Sequence, residues 1–216
     1  MHYKLKEMSE IRFRLAKPSD AKQIAAVHWH VRDRYTEGIF LSLGLPFLRR
    51  YYRIILNDPY EVVICAYLPN GDIVGFSSAT QDAKAQSARL KKHMLSLGLA
   101  ASLQFVLHPK LIKEVWQRYK SIKGDSDAPK YVSLDGVRGE YWCWLKDKAS
   151  GMESFKVDKI KYQVLGALGE KELFGEVDKK NTGVLSFHQK ANKAEIIDEF
   201  RLPDGRERVV IRIPIK

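Results

Sequence analysis

A predicted β-hairpin over residues 61–79 constrains the fold of this 216-residue chain more than any other feature. Two runs rich in β-branched and aromatic residues, EVVICAY and IVGFSSA, are separated by Leu68 and the turn sequence PNGD. The Asn70-Gly71 pair in that linker is typical of a tight hairpin turn, because Asn and Gly tolerate positive φ angles. The pattern therefore predicts two neighbouring antiparallel strands.

The remaining segments alternate between strand and helix patterns. Strands are predicted at 11–15, 141–145 and 172–177 and in a C-terminal hairpin at 194–215, and helices after Pro18, near Pro46, at 154–168 and after Asn181. Residues 82–122 form an additional helical stretch, and a loop is predicted at 124–129. Without the helical stretch at 82–122, the order of elements is β-α-α-β-β-β-α-β-α-β-β, which implies a mixed sheet with helices on its faces.

Helical spacing predicts which side chains of two helices face inward. In the first helix these are Ala21, Ile24, Ala25, His28 and Val31, so His28 faces the core and His30 does not. In the helix at 154–168 they are Val157, Ile160, Val164 and Leu168. On the strand at 141–145, Trp142 and Trp144 alternate with Cys143 and are predicted to fill one side of the sheet.

The net charge of +11 raises the question of nucleic-acid binding. Lys and Arg are spread along the whole chain, and neither a zinc-finger pattern nor an RNP-type aromatic signature accompanies them. A basic surface equally suits a phosphorylated cofactor or a nucleotide sugar. We therefore expect no nucleic-acid partner, and nucleic-acid binding is kept as an alternative that rests on charge alone.

Cysteine content and hydropathy narrow the class of protein. Cys65 and Cys143 lie in apolar strand patterns, which favours buried free thiols in a reducing cytosol and does not support a zinc site. The sequence contains no run of about 18 apolar residues, so no transmembrane helix is expected. The start MHYKLKEMSEIRFR lacks the apolar segment of a secretory signal, so we expect a cytoplasmic protein.

Three stretches resemble the GNAT (Gcn5-related N-acetyltransferase) superfamily, whose members transfer acyl groups from acyl-CoA to amines. IRFRLAKPSDAKQIAAVHWH is similar to the opening strand and first helix, VVICAYLPNGDIVGFSSA to the second and third strands, and NTGVLSFHQKAN to a late helix. The resemblance implies an α/β fold of the α+β type, with a mixed, mostly antiparallel twisted sheet and helices on both faces. It also implies a single domain over 1–216, with an inserted helical subdomain at about 82–130. The insertion and LGLPFLRRYY are similar to acetyltransferases found with bacterial surface-polysaccharide genes.

In this family the pantetheine arm of CoA lies between two splayed parallel strands, here EYWCWL and ELFGEV, which implies acetyl-CoA as co-substrate. The loop KASGME is similar to the pyrophosphate-binding pattern Q/R-x-x-G-x-G/A, but Glu153 stands where a small residue belongs. Lys146, Lys148 and Lys156 are placed to offset its charge. The implied cofactor-binding residues are Cys143, Trp144, Leu145, Lys148, Ala149, Ser150, Gly151, Met152 and Asn181. The alternative is an ordinary Gly-containing loop between strand and helix.

His188 lies seven residues after Asn181, where the family usually carries a Tyr near the CoA sulfur. An imidazole with a pKa of about 6.5 is able to protonate the departing thiolate, which makes His188 the implied general acid. A packing or surface histidine is the alternative. A backbone N–H near Trp144 or Leu145 is expected to polarise the thioester carbonyl. Asn181 is also predicted to cap the helix.

The acceptor pocket is expected at the first helices and at the strand ends. Glu140 and Glu176 are the candidate catalytic bases by their placement, and Glu176, His28 and His30 are candidate substrate-binding residues. The alternatives are solvated carboxylates at strand ends and, for His28, a satisfied core histidine. LKKHMLSLGLAASLQFVL (90–107) is predicted to pack as a lid over this site, with contact to a membrane surface as the alternative.

The function expected from the resemblance is that of an acyl-CoA-dependent N-acyltransferase. Acetyl transfer from acetyl-CoA to the primary amine of a small molecule fits best, with an amino sugar among the candidate acceptors. A homodimer is compatible with the sequence. The alternative is a protein of the same fold that has lost catalysis and acts as a binding or assembly module, because both Glu153 and His188 depart from the family pattern.

Overall fold

The computed structural model describes residues 10–32, 39–122, 135–202 and 205–215, without the side chains of residues 118–122. The predicted loop at 124–129 and the last part of the predicted insertion lie outside the described residues. The strands are β1 (Arg12–Leu15), β2 (Glu61–Tyr67), β3 (Ile73–Thr80), β4 (Arg138–Trp144), β5 (Glu172–Asp178), β6 (Glu195–Arg201) and β7 (Glu207–Pro214). The helices are α1 (Ala21–His30), α2 (Ile39–Ser42), α3 (Gly44–Ile55), α4 (Ala83–Lys92), α5 (Met94–Leu107), α6 (Lys110–Ile122), α7 (Gly151–Ala167) and α8 (Thr182–Ala191).

The seven strands form one sheet in the order β1-β2-β3-β4-β5-β7-β6. Every neighbouring pair is antiparallel except β4 and β5, which are parallel. The predicted hairpin is present, with Gly71 at a φ of +87° in the turn between β2 and β3. The mixed, mostly antiparallel sheet expected from the sequence is confirmed.

Helices cover both faces of the sheet. On one face, called the α1/α3 face, the buried side chains of α1 and α3 pack with Cys65, Phe76 and Cys143 of the strands. On the other, called the α7/α8 face, Val157 and Leu165 of α7 pack with strand residues. Both Cys65 and Cys143 are buried free thiols, as predicted.

The polar residues Asp158 and Lys161 are almost fully buried on α7. The predicted inner stripe of this helix is therefore only partly correct: Val157 is buried, but Leu168 is 52% exposed. The real inner stripe is rotated toward residues 154, 158, 161 and 165, because the interior of the protein supplies polar partners for Asp158 and Lys161.

The helices α4, α5 and α6 lie outside the sheet, as predicted, and α5 packs on α3. A Cβ at Gly44 would lie 3.1 Å from Cγ of Gln104, so α5 approaches the beginning of α3 closely. Leu97 and Ala101 are the buried side chains of α5, whereas Leu95, Leu99 and Leu103 are exposed. The helix packing predicted for 90–107 is thus present on the face of α5 that contacts α3. Among the described residues, no helix is long and apolar enough to cross a membrane.

Candidate active site

β4 and β5 pair at a single position, Arg138 with Phe174, although each strand has seven residues. The N–H of Phe174 donates to the carbonyl of Val137 at 2.9 Å, and the strands separate beyond this junction. The predicted adjacent, parallel and splayed pair is therefore confirmed. A cleft of about 520 Å³ lies at the gap and is lined by residues of both strands and of both sheet faces.

A β-bulge shapes the wall of the cleft on the α1/α3 face. Ser77 pairs with Trp142 and Ala79 with Gly139, so Ser78 stands alone opposite Glu140 and Tyr141. The hydroxyl of Ser78 accepts a hydrogen bond from the N–H of Tyr141 at 3.1 Å. Because a bulge interrupts the alternation of a strand, consecutive residues can face the same side.

Glu140 and Tyr141 both influence Tyr51 on α3. The rings of Tyr141 and Tyr51 lie 6.3 Å apart, edge to face. Burial, and after it the charge of Glu140, raises the pKa of Tyr51 well above its usual value. The bulge therefore places the predicted base beside the aromatic wall of the cleft, on the side opposite to Trp142.

Glu140 belongs to a chain of polar contacts that reaches the inserted helices. It forms an ion pair with Arg138 at 2.7 Å, Arg138 donates to Oε1 of Gln86 at 2.5 Å, and Gln86 donates to Oε1 of Glu61 at 2.9 Å. Burial, and then the charge of Glu140, raises the pKa of Glu61 to about 8. Glu61 was not predicted, because a Glu at the first position of a strand usually lies in solvent.

His28 is buried, as predicted, and also lines the cleft. Its Nδ1 lies 2.8 Å from the hydroxyl of Tyr52, and its ring lies 4.5 Å from that of Tyr141. Burial lowers its pKa to about 3, so the imidazole is neutral at neutral pH. His28 is therefore both a buried core residue and part of the cleft wall. His30 is exposed outside the cleft, with Nε2 3.8 Å from a carboxylate oxygen of Asp147.

His188 lines the cleft on the α7/α8 face and is 7% exposed. Its Nδ1 contacts Nδ2 of Asn192 at 3.0 Å, and its ring lies 6.0 Å from that of Trp142 and 5.4 Å from that of Phe187. Burial lowers the pKa of His188 to about 4, against the opposing effect of Asp158. The expectation of a pKa near the free value is thus wrong, because this imidazole is removed from water.

A buried ion pair lies beside His188. Lys161 Nζ donates to Oδ1 of Asp158 at 2.7 Å, and the hydroxyl of Ser77 donates to the same oxygen at 2.8 Å. Asp158 and Lys161 both line the cleft. Burial opposes ionisation, but the Lys161 ammonium outweighs it and holds the pKa of Asp158 below its usual range. The spacing of three on one helix was the only sequence signal for this pair.

The predicted pyrophosphate loop lies at the C-terminal end of β4, and its residues 148–152 are not among the described residues that line the cleft. Ser150 caps α7 by accepting from the N–H of Met152 at 3.3 Å, and Trp144 Nε1 donates to the carbonyl of Ala149 at 3.2 Å. The N–H of Leu145 donates to the carbonyl of Val74 at 2.8 Å. Leu145 therefore cannot supply the predicted oxyanion donor, because its N–H is part of the sheet ladder.

Glu153 forms an ion pair with Lys156 at 3.0 Å, so one of the lysines expected to offset its charge does so. Asn181 caps α8, as predicted, by accepting from the N–H of Val184 at 3.3 Å. Glu176 lies 3.5 Å from Arg208 in an ion pair that lines the same cleft. Of the predicted residues, the cleft brings together His28, Glu140, Cys143, Glu176, Asn181 and His188.

No protein-family profile matches the sequence, and no curated protein sequence matches it. Solved structures do resemble the fold. An N-acetyltransferase from Staphylococcus aureus is 13% identical with a TM-score of 0.58, and the match covers 96% of this chain and 100% of that one. A GNAT-family acetyltransferase from Streptococcus pneumoniae is 14% identical with a TM-score of 0.53, covering 95% and 100%. The protein yncA from Salmonella typhimurium, solved with its cofactor acetyl-CoA, is 10% identical with a TM-score of 0.57, covering 96% and 95%.

Proposed function

We propose that this chain, which has the fold of the GNAT acetyltransferases, is an acyl-CoA-dependent N-acyltransferase. Its most fitting reaction is transfer of an acetyl group from acetyl-CoA to the primary amine of a small molecule, with amino sugars among the candidates. The observation that carries the proposal is the cleft at the splayed pair β4 and β5, with Glu140 on one face of the sheet and His188 on the other.

The residues at the gap fit the pantetheine arm of CoA. Gly139 and Gly175 lie on the two facing strands and line the cleft, so neither position adds a side chain of its own to the gap. At the end of β4, Lys148 and the N-terminus of α7 offer positive charge and backbone N–H groups for a pyrophosphate. Acyl-CoA supplies an acyl group activated as a thioester.

Glu140 is the proposed base. Glu140 pairs with Arg138 and lines the cleft, where it is placed to take the proton that an ammonium acceptor must lose before it becomes a nucleophile. The neighbouring aromatic wall, formed by Tyr141 with His28 behind it, excludes water from that side. Glu176 and His28 are proposed to border the acceptor.

His188 is proposed to act as a neutral hydrogen-bond donor rather than as an imidazolium. Nδ1 accepts from the amide of Asn192, so the remaining proton is on Nε2. A neutral N–H beside the sulfur stabilises the negative charge that develops there, in the way that a tyrosine hydroxyl does. Asp158 and Lys161 lie close enough to influence the pKa of His188, and their side chains keep this wall of the cleft polar.

Two measurements test the proposal. Calorimetric titration with acetyl-CoA is expected to show binding, and assay of thiol release with a panel of primary amines, including amino sugars, is expected to show turnover that requires the amine. Glu140→Gln keeps the size of the side chain and should lower turnover by about 10²–10⁴-fold without loss of acetyl-CoA binding. Failure of the parent protein to bind acetyl-CoA would overturn the proposal.

A protein that binds acetyl-CoA but releases no thiol with any amine would fit the second candidate, a binding or assembly module. The observation that favours this candidate is the position of the loop 148–152 away from the cleft, together with Glu153 in its first helical turn. Unchanged binding in Glu140→Gln and in Glu140→Ala, with no turnover in the parent, would support the module.

A further inference from the structure

The helix α5 is apolar on two opposite faces, and within the described residues one of them packs against α3 while the other is exposed. Leu97 and Ala101 are buried toward α3. The opposite face exposes Leu95 by 81%, Leu99 by 68%, Leu103 by 63% and Val106 by 78%. These four residues recur at spacings of three and four, so they form one continuous stripe along the helix. A helix that is apolar all round is normally covered on all sides, and this one is not.

The segment that carries this stripe is rich in lysine. Residues 83–113 contain no Asp or Glu, and five lysines of this segment are exposed: Lys84, Lys91, Lys92, Lys110 and Lys113. The only arginine of the segment, Arg89, is paired with the buried Asp58. Lys91 and Lys92 therefore lie shortly before the first residue of α5, Met94, and Lys110 and Lys113 lie shortly after its last residue, Leu107.

We propose that the exposed face of α5 docks on a membrane surface rich in anionic lipids. An apolar stripe flanked by lysines is the pattern of a helix that lies in the plane of a bilayer interface, with its leucines among the acyl chains and its lysines at the headgroups. With 14 residues α5 is about 21 Å long, too short to span the bilayer but suited to lying along it.

Charge decides against the other occupants of this face. In a symmetric dimer built on α5, the same lysines of both copies would meet around the interface and repel each other. A nucleic acid would satisfy the lysines but would leave the leucine stripe against phosphates and water. An anionic bilayer satisfies both the charge and the apolar surface.

The docking face lies on the same side of the protein as one wall of the candidate active site. Arg50 of α3 donates to the hydroxyl of Ser96 on α5 at 3.0 Å, and α3 also carries Tyr51, which faces the wall formed by Glu140 and Tyr141. In addition, Gln86 of α4 contacts Glu61 and Arg138 directly. A membrane bound to α5 would therefore face the α1/α3 side of the sheet.

The test is co-sedimentation of the full chain with vesicles of phosphatidylcholine alone and of phosphatidylcholine with an equal amount of phosphatidylglycerol. The parent protein is expected to sediment with the anionic vesicles and to be released between roughly 50 mM and 500 mM salt, because salt screens the lysines. The double variant Leu99→Asp/Leu103→Asp should bind at least about tenfold more weakly. Leu168→Asp is the matched control, since Leu168 is 52% exposed at the end of α7, and its binding should equal that of the parent.

A second variant, Lys91→Gln/Lys92→Gln/Lys110→Gln/Lys113→Gln, keeps the leucine stripe and should lose the preference for anionic over neutral vesicles. Circular dichroism at increasing temperature checks that every variant is folded. The proposal is overturned if the parent does not sediment with anionic vesicles, or if Leu168→Asp loses as much binding as the double variant. It is also overturned if sedimentation equilibrium shows a dimer that Leu99→Asp/Leu103→Asp dissociates, because the face is then an interface between copies.

Discussion

Nδ1 of His188 lies 3.0 Å from Nδ2 of Asn192, one turn further along α8. The amide donates in this contact, which leaves the imidazole proton on Nε2. Burial lowers the pKa of the ring to about 4, so this tautomer persists at neutral pH. His188 therefore lines the cleft as a neutral ring that carries its proton on Nε2.

Replacement of His188 separates hydrogen bonding from packing. His188→Phe keeps an aromatic ring beside Trp142 and Phe187 but removes the N–H, and it should lower turnover by about 10²–10⁴-fold. His188→Tyr should restore much of the loss, because a hydroxyl also donates while neutral. Turnover is measured at saturating acyl-CoA and amine. Equal turnover of the Phe variant and the parent would remove His188 from the mechanism.

The two buried histidines should make the protein sensitive to acid. Their pKa values are lowered in the folded protein to about 4 for His188 and about 3 for His28, below the value of about 6.5 in the unfolded chain. Their contribution to stability is complete above pH 6.5 or so and is lost as the pH falls toward those folded values, because the unfolded state then binds more protons.

His188→Phe should therefore lose less stability on acidification than the parent does. Between pH 7 and pH 4 the free energy of unfolding of the parent should fall by about 1–3 kcal/mol more than that of the variant. Urea unfolding at both pH values measures this. His30→Phe is the control for replacing a histidine by Phe, because His30 is exposed and lies outside the cleft. A parallel fall in parent and His188→Phe would contradict the prediction.

Glu61 should give stability the opposite dependence on pH. Its pKa is raised in the folded protein to about 8, so its carboxyl contributes most to stability below pH 4.5 or so, and stability falls as the pH rises toward 8. Glu61→Gln keeps the acceptor for Gln86 and should be more stable than the parent at pH 9 by roughly 4–5 kcal/mol, with no difference near pH 4.5. Denaturant unfolding across this range measures the effect.

A second variant tests how much the charge of Glu140 contributes to the raised pKa of Glu61. Glu140→Gln removes the neighbouring charge that raises the pKa of Glu61, so NMR titration of the Glu61 carboxyl should give a lower pKa in this variant than in the parent. An unchanged pKa would show that burial alone accounts for the shift.

The pyrophosphate loop yields a binding prediction. Glu153→Ala removes a carboxylate from the first turn of α7 and should tighten CoA binding by up to about 1 kcal/mol, or roughly fivefold in Kd. Lys156→Met should weaken binding, because it leaves Glu153 without its partner. Calorimetric titration measures both. If neither variant nor the parent binds CoA, the cofactor assignment fails.

Gly75 on β3 should tolerate no side chain. A Cβ there would overlap the ring of Trp144, whose Nε1 holds the carbonyl of Ala149 in the loop. Gly75→Ala should therefore lower the free energy of unfolding by about 1–3 kcal/mol and weaken CoA binding as well. Gly98→Ala is the control: it lies in α5 with open space around it and should be neutral or stabilising. Thermal unfolding and calorimetry give the comparison.

Patterns that depend on local backbone geometry were readable from the sequence. The turn at Gly71, the N-cap at Asn181 and the inward position of His28 each follow from a few neighbouring residues, and all three are confirmed. The parallel, splayed arrangement of β4 and β5 was also predicted, but it came from the resemblance to a family rather than from the residues themselves.

Features that depend on residues distant in the chain were not readable. The bulge opposite Ser78 turns Glu140 to the side of Tyr51, whereas strict alternation would place it beside Trp142. The raised pKa of Glu61 requires burial beneath helix α4 and a neighbour about 80 residues further along the chain. Neither effect can be predicted from the residues that neighbour Glu140 or Glu61 in the sequence.

The sequence by itself determined the order of the elements, the hairpins, the helix caps and most of the side chains that face the core, because 2.0- and 3.6-residue periods and turn chemistry are local properties. The tertiary structure alone decided which carboxylates and imidazoles carry charge, which face Glu140 occupies, and that the leucines of α5 are left exposed. Those properties depend on desolvation and on strand register, and both are set by contacts between segments that the linear sequence separates.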